Sequence, residues 1–253
     1  MGPVISRKII KVKENIIQSL EDSIAIETKI KILVNDIEII SLSATPLHIK
    51  ELVVGYILTE NIIKENFCPQ EVEIIEEKEE IKVKIYSAGP LNLNGKTLTS
   101  GCMSSFSFIN ELPESYKDNF KIEIENLFLL FKDFQKKSEL YKSTGCVHYA
   151  GLAEKEKIIF LAEDIGRHNA VDKVIGYAFL NKIPLEDKIL LISGRISSEM
   201  VLKTGRWKIP IIISKSAPTS LAIELAEKIG LTIIGFLRGN RCNIYTHPYR
   251  LNL

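Results

Sequence analysis

The chain has 253 residues, of which 33 are basic and 32 acidic, so its formal net charge is +1. Charged residues at 26% and hydrophobic residues at 45% exclude a disordered chain, a collagen-like fibre and a polybasic nucleic-acid tail. The first dozen positions mix charged and apolar residues with no signal-peptide core, and no run approaches the ~20 apolar residues of a membrane span. A soluble, cytoplasmic protein with neither a nucleic-acid nor a membrane partner is expected.

Residues 24–40, IAIETKIKILVNDIEII, alternate β-branched and polar residues around Asn35-Asp36 and predict a hairpin. In the following SATPLHIKELVVGYILTENII, Thr45 offers an N-cap, Pro46 suits the first helical position, and apolar residues recur at helical spacing to Ile63. Residues 71–87 repeat the alternating pattern around an acidic turn. Hairpin, helix and hairpin make residues 1–100 a small α+β domain, and SAGPLNLNGK is the expected linker.

Residues 101–253 read as an α/β domain. One amphipathic helix is expected over residues 122–142, IEIENLFLLFKDFQKKSELYK. IIFLAED, KILLISG and IPIIISKSA are then each followed by a helical segment, and LTIIGFLRG and CNIYTHP close the chain. Short β-branched strands alternating with helices predict a mainly parallel sheet.

In such a sheet, ligands bind beyond the carboxyl ends of the strands. The loops there are AEDIGRHN, ISGRISSE, SKSAPTS and FLRGNR. Glycines admit close backbone approach, helix starts present free N–H groups, and arginine adds a planar fork of donors. Together they describe an anion site, although Gly166, Gly194 and Gly239 match neither a P-loop nor a dinucleotide fingerprint. Two readings of Asp164, Ser197 and Thr219 stand: helix caps, or contacts to a phosphate-rich ligand. The near-zero net charge conceals a division that favours the second. Residues 1–166 hold 20 basic and 26 acidic groups, a net of −6, whereas residues 167–253 hold 13 and 6, a net of +7. Arg167, Arg195, Arg206 and Arg238 each adjoin a glycine.

The four cysteines are far apart and form no Cys-x-x-Cys pair, which argues against a zinc knuckle or a disulfide scaffold. Cys102, in KTLTSGCMSSFSF, lies among small and hydroxyl residues between an extended stretch and an expected helix. It is placed either as a nucleophile, its thiolate favoured by a helix N-terminus, or as a buried structural thiol. Cys68, in a loop before Pro69, and Cys242, in an apolar strand, read as structural. Cys146 is two residues from His148, a spacing that on a strand puts both side chains on one face. A zinc nucleobase deaminase requires His-x-Glu, but Ala150 stands two residues after His148, so no metal site is expected. His168 and Asp172 are four apart on a helix, either an orienting pair beside the ligand or a surface contact. His48 and His247 read as structural, and Trp207 as a core or loop anchor.

TPLHIKELVVGYILTENII, SGCMSS, TGCVHYAGL, EDIGRHNAVDKVIG, SGRISSEMVLK, SAPTSLAIELA and GFLRGNRCNIYTHP together resemble the formate dehydrogenase accessory sulfurtransferase (FdhD) family, over residues 40 to 250. The resemblance implies a cytidine-deaminase-like α/β domain with a smaller appended domain, and a homodimer. It implies that a cysteine desulfurase passes sulfane sulfur to a loop cysteine as a persulfide. The sulfur is then delivered to the bis(molybdopterin guanine dinucleotide) molybdenum cofactor destined for formate dehydrogenase. The persulfide cysteine falls on Cys102. The cofactor-binding segment falls on Phe236, Leu237, Arg238, Gly239, Asn240 and Arg241, and Arg167, His168, Arg195 and Ser197 join it as the other strand-end contacts. GDP or a related guanine nucleotide would mimic the cofactor. The sequence departs from the family pattern at Ser105, where a second cysteine is usual, and at Cys146, where glycine is usual. Two-thiol chemistry within the loop is thereby removed. Two competing functions remain: a cofactor-binding chaperone that moves no sulfur, and a cysteine-dependent hydrolase or phosphatase. The Cys-x5-Arg signature of the phosphatase is absent at all four cysteines.

Overall fold

The computed structural model describes residues 2–63, 67–87, 90–92 and 112–253, with only the backbone at 67–71. Cys102, Ser105 and most of the expected linker lie outside the described residues.

Strands β1 (Val4–Lys13) and β2 (Ile16–Ala25) form an antiparallel hairpin of their own. Glu14 and Asn15 in its turn have φ of 48° and 67°, the two positive values that match a two-residue turn to strand twist. The N-terminal alternation that argues against a signal peptide therefore folds as a strand pair.

A four-stranded sheet, ordered β4-β3-β6-β5, contains β3 (Thr28–Val34), β4 (Ile37–Ala44), β5 (Phe67–Glu76) and β6 (Glu80–Ser87). Both expected hairpins are present. Asn35 and Asp36 turn the first at φ 49° and 61°, and Cys68 lies within β5 rather than in a loop. Ile30, Ile32, Val34, Ile81, Val83 and Ile85 share a core with Leu52, Val53 and Ile57 of helix α1 (Ile49–Thr59).

The start of α1 differs from expectation. His48, left-handed and without a side-chain capping bond, stands at the N-cap. Thr45 is fully buried; its N–H donates to Asp164 Oδ2 at 3.1 Å and its Oγ1 accepts from Ile165 N at 3.2 Å. A buried long-range partner has outcompeted the local cap.

The single helix expected over residues 122–142 is also divided, into β7 (Ile122–Glu123), α2 (Ile124–Lys137) and α3 (Glu139–Thr144). Glu163 causes the break. Its carboxylate accepts from the Ser138 hydroxyl and from the backbone N–H groups of Leu140 (3.2 Å) and Tyr141 (3.0 Å). A side chain distant in sequence thus caps the start of α3.

The largest sheet runs β13-β12-β11-β10-β8-β9. Its strands are β8 (His148–Ala153), β9 (Ile158–Asp164), β10 (Ile189–Ile192), β11 (Ile211–Ser214), β12 (Thr232–Arg238) and β13 (Arg241–Ile244). It is mixed rather than mainly parallel: β10–β11 and β11–β12 are parallel, but β9–β8, β8–β10 and β12–β13 are antiparallel. Parallel neighbours need a long crossover, whereas β8–β9 and β12–β13 are joined by short reversals. Helices α4 (Arg167–Leu180), α5 (Ser198–Arg206) and α6 (Ser220–Ile229) cover one face and α2 the other. A last strand, β14 (Leu251–Asn252), pairs with β7.

Candidate anion site at the strand ends

β9, β10, β11 and β12 run in one direction, so their four carboxyl-terminal loops lie along the same sheet end as the first residue of the reversed strand β8. At β9, Asp164 organises the turn. Its Oδ1 accepts from Gly166 N (2.8 Å) and Asn169 Nδ2 (2.9 Å), and its Oδ2 accepts from Lys173 Nζ (2.6 Å) as well as Thr45 N. Asp164 is therefore neither a helix cap nor a ligand contact. It fixes the turn that starts α4 and so positions Arg167 and His168. Burial pulls Lys173 below the ordinary lysine value, and Asp164 opposes that shift.

The other two capping readings separate. Thr219 is a cap, its Oγ1 accepting from Ala222 N at 3.3 Å. Ser197 occupies the N-cap of α5 without capping it, and its Oγ is buried with no hydrogen-bond partner among the described residues. His168 Nε2 meets the Glu199 carboxylate of α5, not Asp172. Asp172 Oδ1 instead accepts from Thr59 Oγ1 of α1 (2.7 Å) and from Lys203 Nζ of α5 (2.6 Å). The expected His168–Asp172 pair is corrected accordingly: helical spacing allowed it, but His168 meets Glu199 of α5, and Asp172 is held by Lys203 of α5 and Thr59 of α1.

Gly194 marks the convergence of three elements. A Cβ added there would lie 3.4 Å from Arg167 Cδ and 3.4 Å from His148 Nδ1. Arg195 beside it is exposed. His148 Nδ1 is 3.3 Å from Ser193 Oγ, which accepts from Tyr149 N at 3.0 Å. Burial lowers the His148 pKa, and the charges of Arg167, Lys215 and His168 lower it further. Cys146 is exposed and precedes β8, so it does not share a strand face with His148 as expected; its N–H donates to Thr144 Oγ1.

At β12 the register breaks between Gly235 and Arg238. A Cβ on Gly235 would lie 2.9 Å from Ser216 O, so the strand passes hard against the β11–α6 loop. Phe236, 42% exposed, donates its N–H to the same oxygen (3.1 Å) and takes φ of 50°, a strained conformation for an aromatic residue. Beyond it, Gly239 (φ 57°) and Asn240 turn the chain, and Arg238 and Arg241 stand directly opposite, both exposed. Phe236, Arg238, Arg241, Cys242 and Asn243 line a depression of about 270 Å³. Leu237 points into the core at 1% exposure, so it can offer a ligand only its backbone. Burial pushes the Cys242 thiol up, which suits its structural reading.

The described residues on either side of positions 93–111 bond at two places. Asn92 N donates to Ile62 O, just beyond α1 (2.8 Å), and Tyr116 bonds Ile229 O (3.1 Å) and Ile209 O (2.6 Å), which precede β12 and β11. Among the described residues, no group of three or more His, Cys, Asp or Glu side chains is arranged to hold a metal ion, and no helix is long and apolar enough to cross a membrane.

Sequence reasoning found the four loops and their arginines. It missed Asp164 as the organiser of the β9–α4 turn and did not bring His148 to the strand ends. For His148, the signal was its place at the start of a strand that reverses direction, which only the topology supplies.

The FdhD/NarQ family model matches residues 25–252. The sulfur carrier protein FdhD of Bacillus pumilus strain SAFR-032 is 36% identical over 260 residues, covering 99% of each chain. That of Bacillus subtilis strain 168 is 36% identical over 255 residues, covering 97% of this chain and 96% of the relative. A crystal structure from Desulfotalea psychrophila, described as a formate dehydrogenase accessory protein, superposes with a TM-score of 0.80 at 27% identity, covering 99% of this chain and all of the other. With the family pattern running through both sheets and the whole strand-end site, the chain belongs to the FdhD/NarQ family.

Proposed function

We propose that the protein is a sulfur carrier for formate dehydrogenase maturation: it accepts sulfane sulfur on Cys102 and passes it to a bound bis(molybdopterin guanine dinucleotide) molybdenum cofactor. The observation that carries this reading is the pair Arg238 and Arg241, opposed across a two-residue turn beside the strained, exposed Phe236. Like charges directly opposite on a hairpin repel, and a phosphate between them removes the repulsion while accepting charge-assisted hydrogen bonds. Arg167, His168, Arg195 and Ser197 extend the same strand-end surface, and the backbone of Leu237, Gly239 and Asn240 completes the hairpin's share. The carrier role agrees with the names of the Bacillus relatives. The order β9-β8-β10-β11-β12, with β8 alone reversed, supports a cytidine-deaminase-like core. A cytoplasmic homodimer is part of the same reading.

In the loading step, the Cys102 thiolate attacks the terminal sulfur of a cysteine desulfurase persulfide. A Cys102 S–S bond forms, the donor's S–S bond breaks, and the donor departs as a thiolate. In delivery, the Cys102 S–S bond breaks, the sulfane sulfur passes to the metal centre of the cofactor, and Cys102 returns as a thiolate. The two electrons that convert sulfane sulfur to sulfide come from reduced molybdenum of the substrate cofactor.

Mass spectrometry after incubation with a cysteine desulfurase and cysteine tests the reading. A gain of one sulfur atom on Cys102, absent from Cys102→Ala, is expected. GDP binding with no sulfur adduct would instead identify a cofactor-handling chaperone.

A further inference from the structure

The β1–β2 hairpin is a sheet of its own, and a lone two-stranded hairpin is marginal in water unless a further surface covers it. Near its turn, Val12 stands directly opposite Ile17, and Ile10 lies two residues before Val12 on the same face. These three are 66%, 71% and 64% exposed and make one apolar patch. Every charge along β1 is basic. Arg7 and Lys8 have Asp22 and Glu21 directly opposite, but Lys11 and Lys13, on the face away from the patch, have Gln18 and Ile16. The turn half of β1 therefore carries two cations that no opposite residue matches. β2 passes alongside α3, and β1 carries the other edge of the ribbon.

β5 presents the complement. It ends the sheet β4-β3-β6-β5, and among the described residues no strand pairs with its outer edge. Over Val72–Glu76 it runs in regular register with β6. Ile74 stands opposite the fully buried Val83 yet is itself 40% exposed, because the sheet stops there. Glu73 stands opposite Lys84 on the other face and is exposed. β5 thus offers Ile74 on one face and Glu73 on the other, whereas β1 offers Ile10 and Val12 on one face and Lys11 and Lys13 on the other. Pairing the two strands satisfies both faces at once and uses the backbone groups that each edge leaves open.

Within one chain these edges belong to separate sheets. We infer that they meet between two copies: the hairpin of each copy adds to the β5 edge of the other, a reciprocal exchange that closes at a dimer. Lys11 and Lys13 then lie beside the partner's Glu73, and the Ile10–Val12–Ile17 patch continues the core face at the partner's Ile74. Pairing of like edges is disfavoured, since β1 on β1 would bring lysines together and β5 on β5 glutamates. The inference rests on the homodimer of the proposed reading and names its surfaces.

Sedimentation equilibrium of the full chain tests it. The native protein is expected to be a dimer. Lys11→Glu/Lys13→Glu and, separately, Glu73→Lys should each weaken association about tenfold, because every contact occurs twice in a symmetric pair and attraction becomes repulsion. All three changes in one chain should restore the dimer. The three positions are exposed, so the fold tolerates the reversals. A triple variant no better than the separate reversals overturns the exchange. A dimer that neither reversal weakens also overturns it, and leaves the homodimer standing on another surface. A monomeric native protein sinks both, whereas the sulfur adduct on Cys102 is read independently of assembly. Hydrogen exchange of the native protein needs no variant. Amides of β1 and of Val72–Glu76 should exchange more slowly as concentration rises through the dissociation range; exchange independent of concentration in both strands overturns the inference.

Discussion

Gly55 of α1 and Gly176 of α4 pack backbone against backbone. A Cβ on Gly55 would lie 1.8 Å from Asp172 O, and one on Gly176 would lie 1.9 Å from Glu51 O. The obstructing atoms in both cases are main-chain carbonyls, which cannot rotate away as a side chain can. Close approach of these helices ties the four-stranded sheet to the six-stranded one. Gly176→Ala is therefore expected to destabilise the protein by about 2–3 kcal/mol, the upper range for overpacking, and to lower the melting temperature by about 5–10 °C for a chain of this size. Differential scanning calorimetry checks it. A melting temperature within a degree of the native value would show that the helices separate without penalty.

The same helix contact encloses a buried ion network. Lys203 Nζ donates to Asp172 Oδ1 (2.6 Å) and Thr59 Oγ1 (2.8 Å), and lies 3.0 Å from Glu60 Oε1. Burial opposes its charge, but Asp172 and Glu60 more than compensate and hold its pKa above the ordinary lysine value. Removing the cation leaves a buried carboxylate against Thr59 alone. Lys203→Met is expected to lower unfolding free energy by about 3–5 kcal/mol in urea titrations. Lys203→Met/Asp172→Leu should recover part of that loss, because the fully buried Asp172 carboxylate is removed together with its cation. A double variant no better than Lys203→Met would refute the electrostatic account.

How much of this was legible in the sequence depends on whether the determining contact is local. The Asn35-Asp36 turn, the strands of the α/β half and the four strand-end loops follow from local pattern, and all are present. The failures share one cause. Thr45, Ser138 and Asp172 have partners 119, 25 and 31 residues away, and in each case a buried distant partner overrode a correct local propensity. The mixed sheet has a related origin: the short link from β8 to β9 is local, but the antiparallel pairing of β8 with β10, Ala153 opposite Ile189, is not. That reversal also brings His148 to the strand ends, beside Gly194.

His148 makes the stability pH-dependent with a definite sign. Burial, reinforced by Arg167, Lys215 and His168, places its native pKa below the reference value of 6.5. Between those two values the unfolded chain binds more protons than the native one, so stability rises with pH through that window and falls on acidification. His148→Asn removes the linkage. Urea midpoints measured in steps from about pH 5 to 7 should show a shallower acid limb for His148→Asn than for the native protein. Parallel limbs would mean that His148 titrates normally in the folded state.

Opposed Arg238 and Arg241 should exchange stability for binding. With no anion between them, the two guanidinium groups repel across the hairpin, and relieving a like-charge cross-strand pair is worth about 0.2–1 kcal/mol. Arg241→Gln is expected to raise unfolding free energy by that amount at low ionic strength. The gain should vanish in about 1 M salt, where the Debye length contracts to ~3 Å. The same variant should bind GDP at least tenfold more weakly, through the loss of a charge-assisted hydrogen bond. Stability measured at two salt concentrations, together with GDP affinity, separates the outcomes. A stabilised variant that binds GDP normally would place the nucleotide elsewhere. A destabilised one would show that Arg241 is held by folded-state contacts rather than reserved for a ligand.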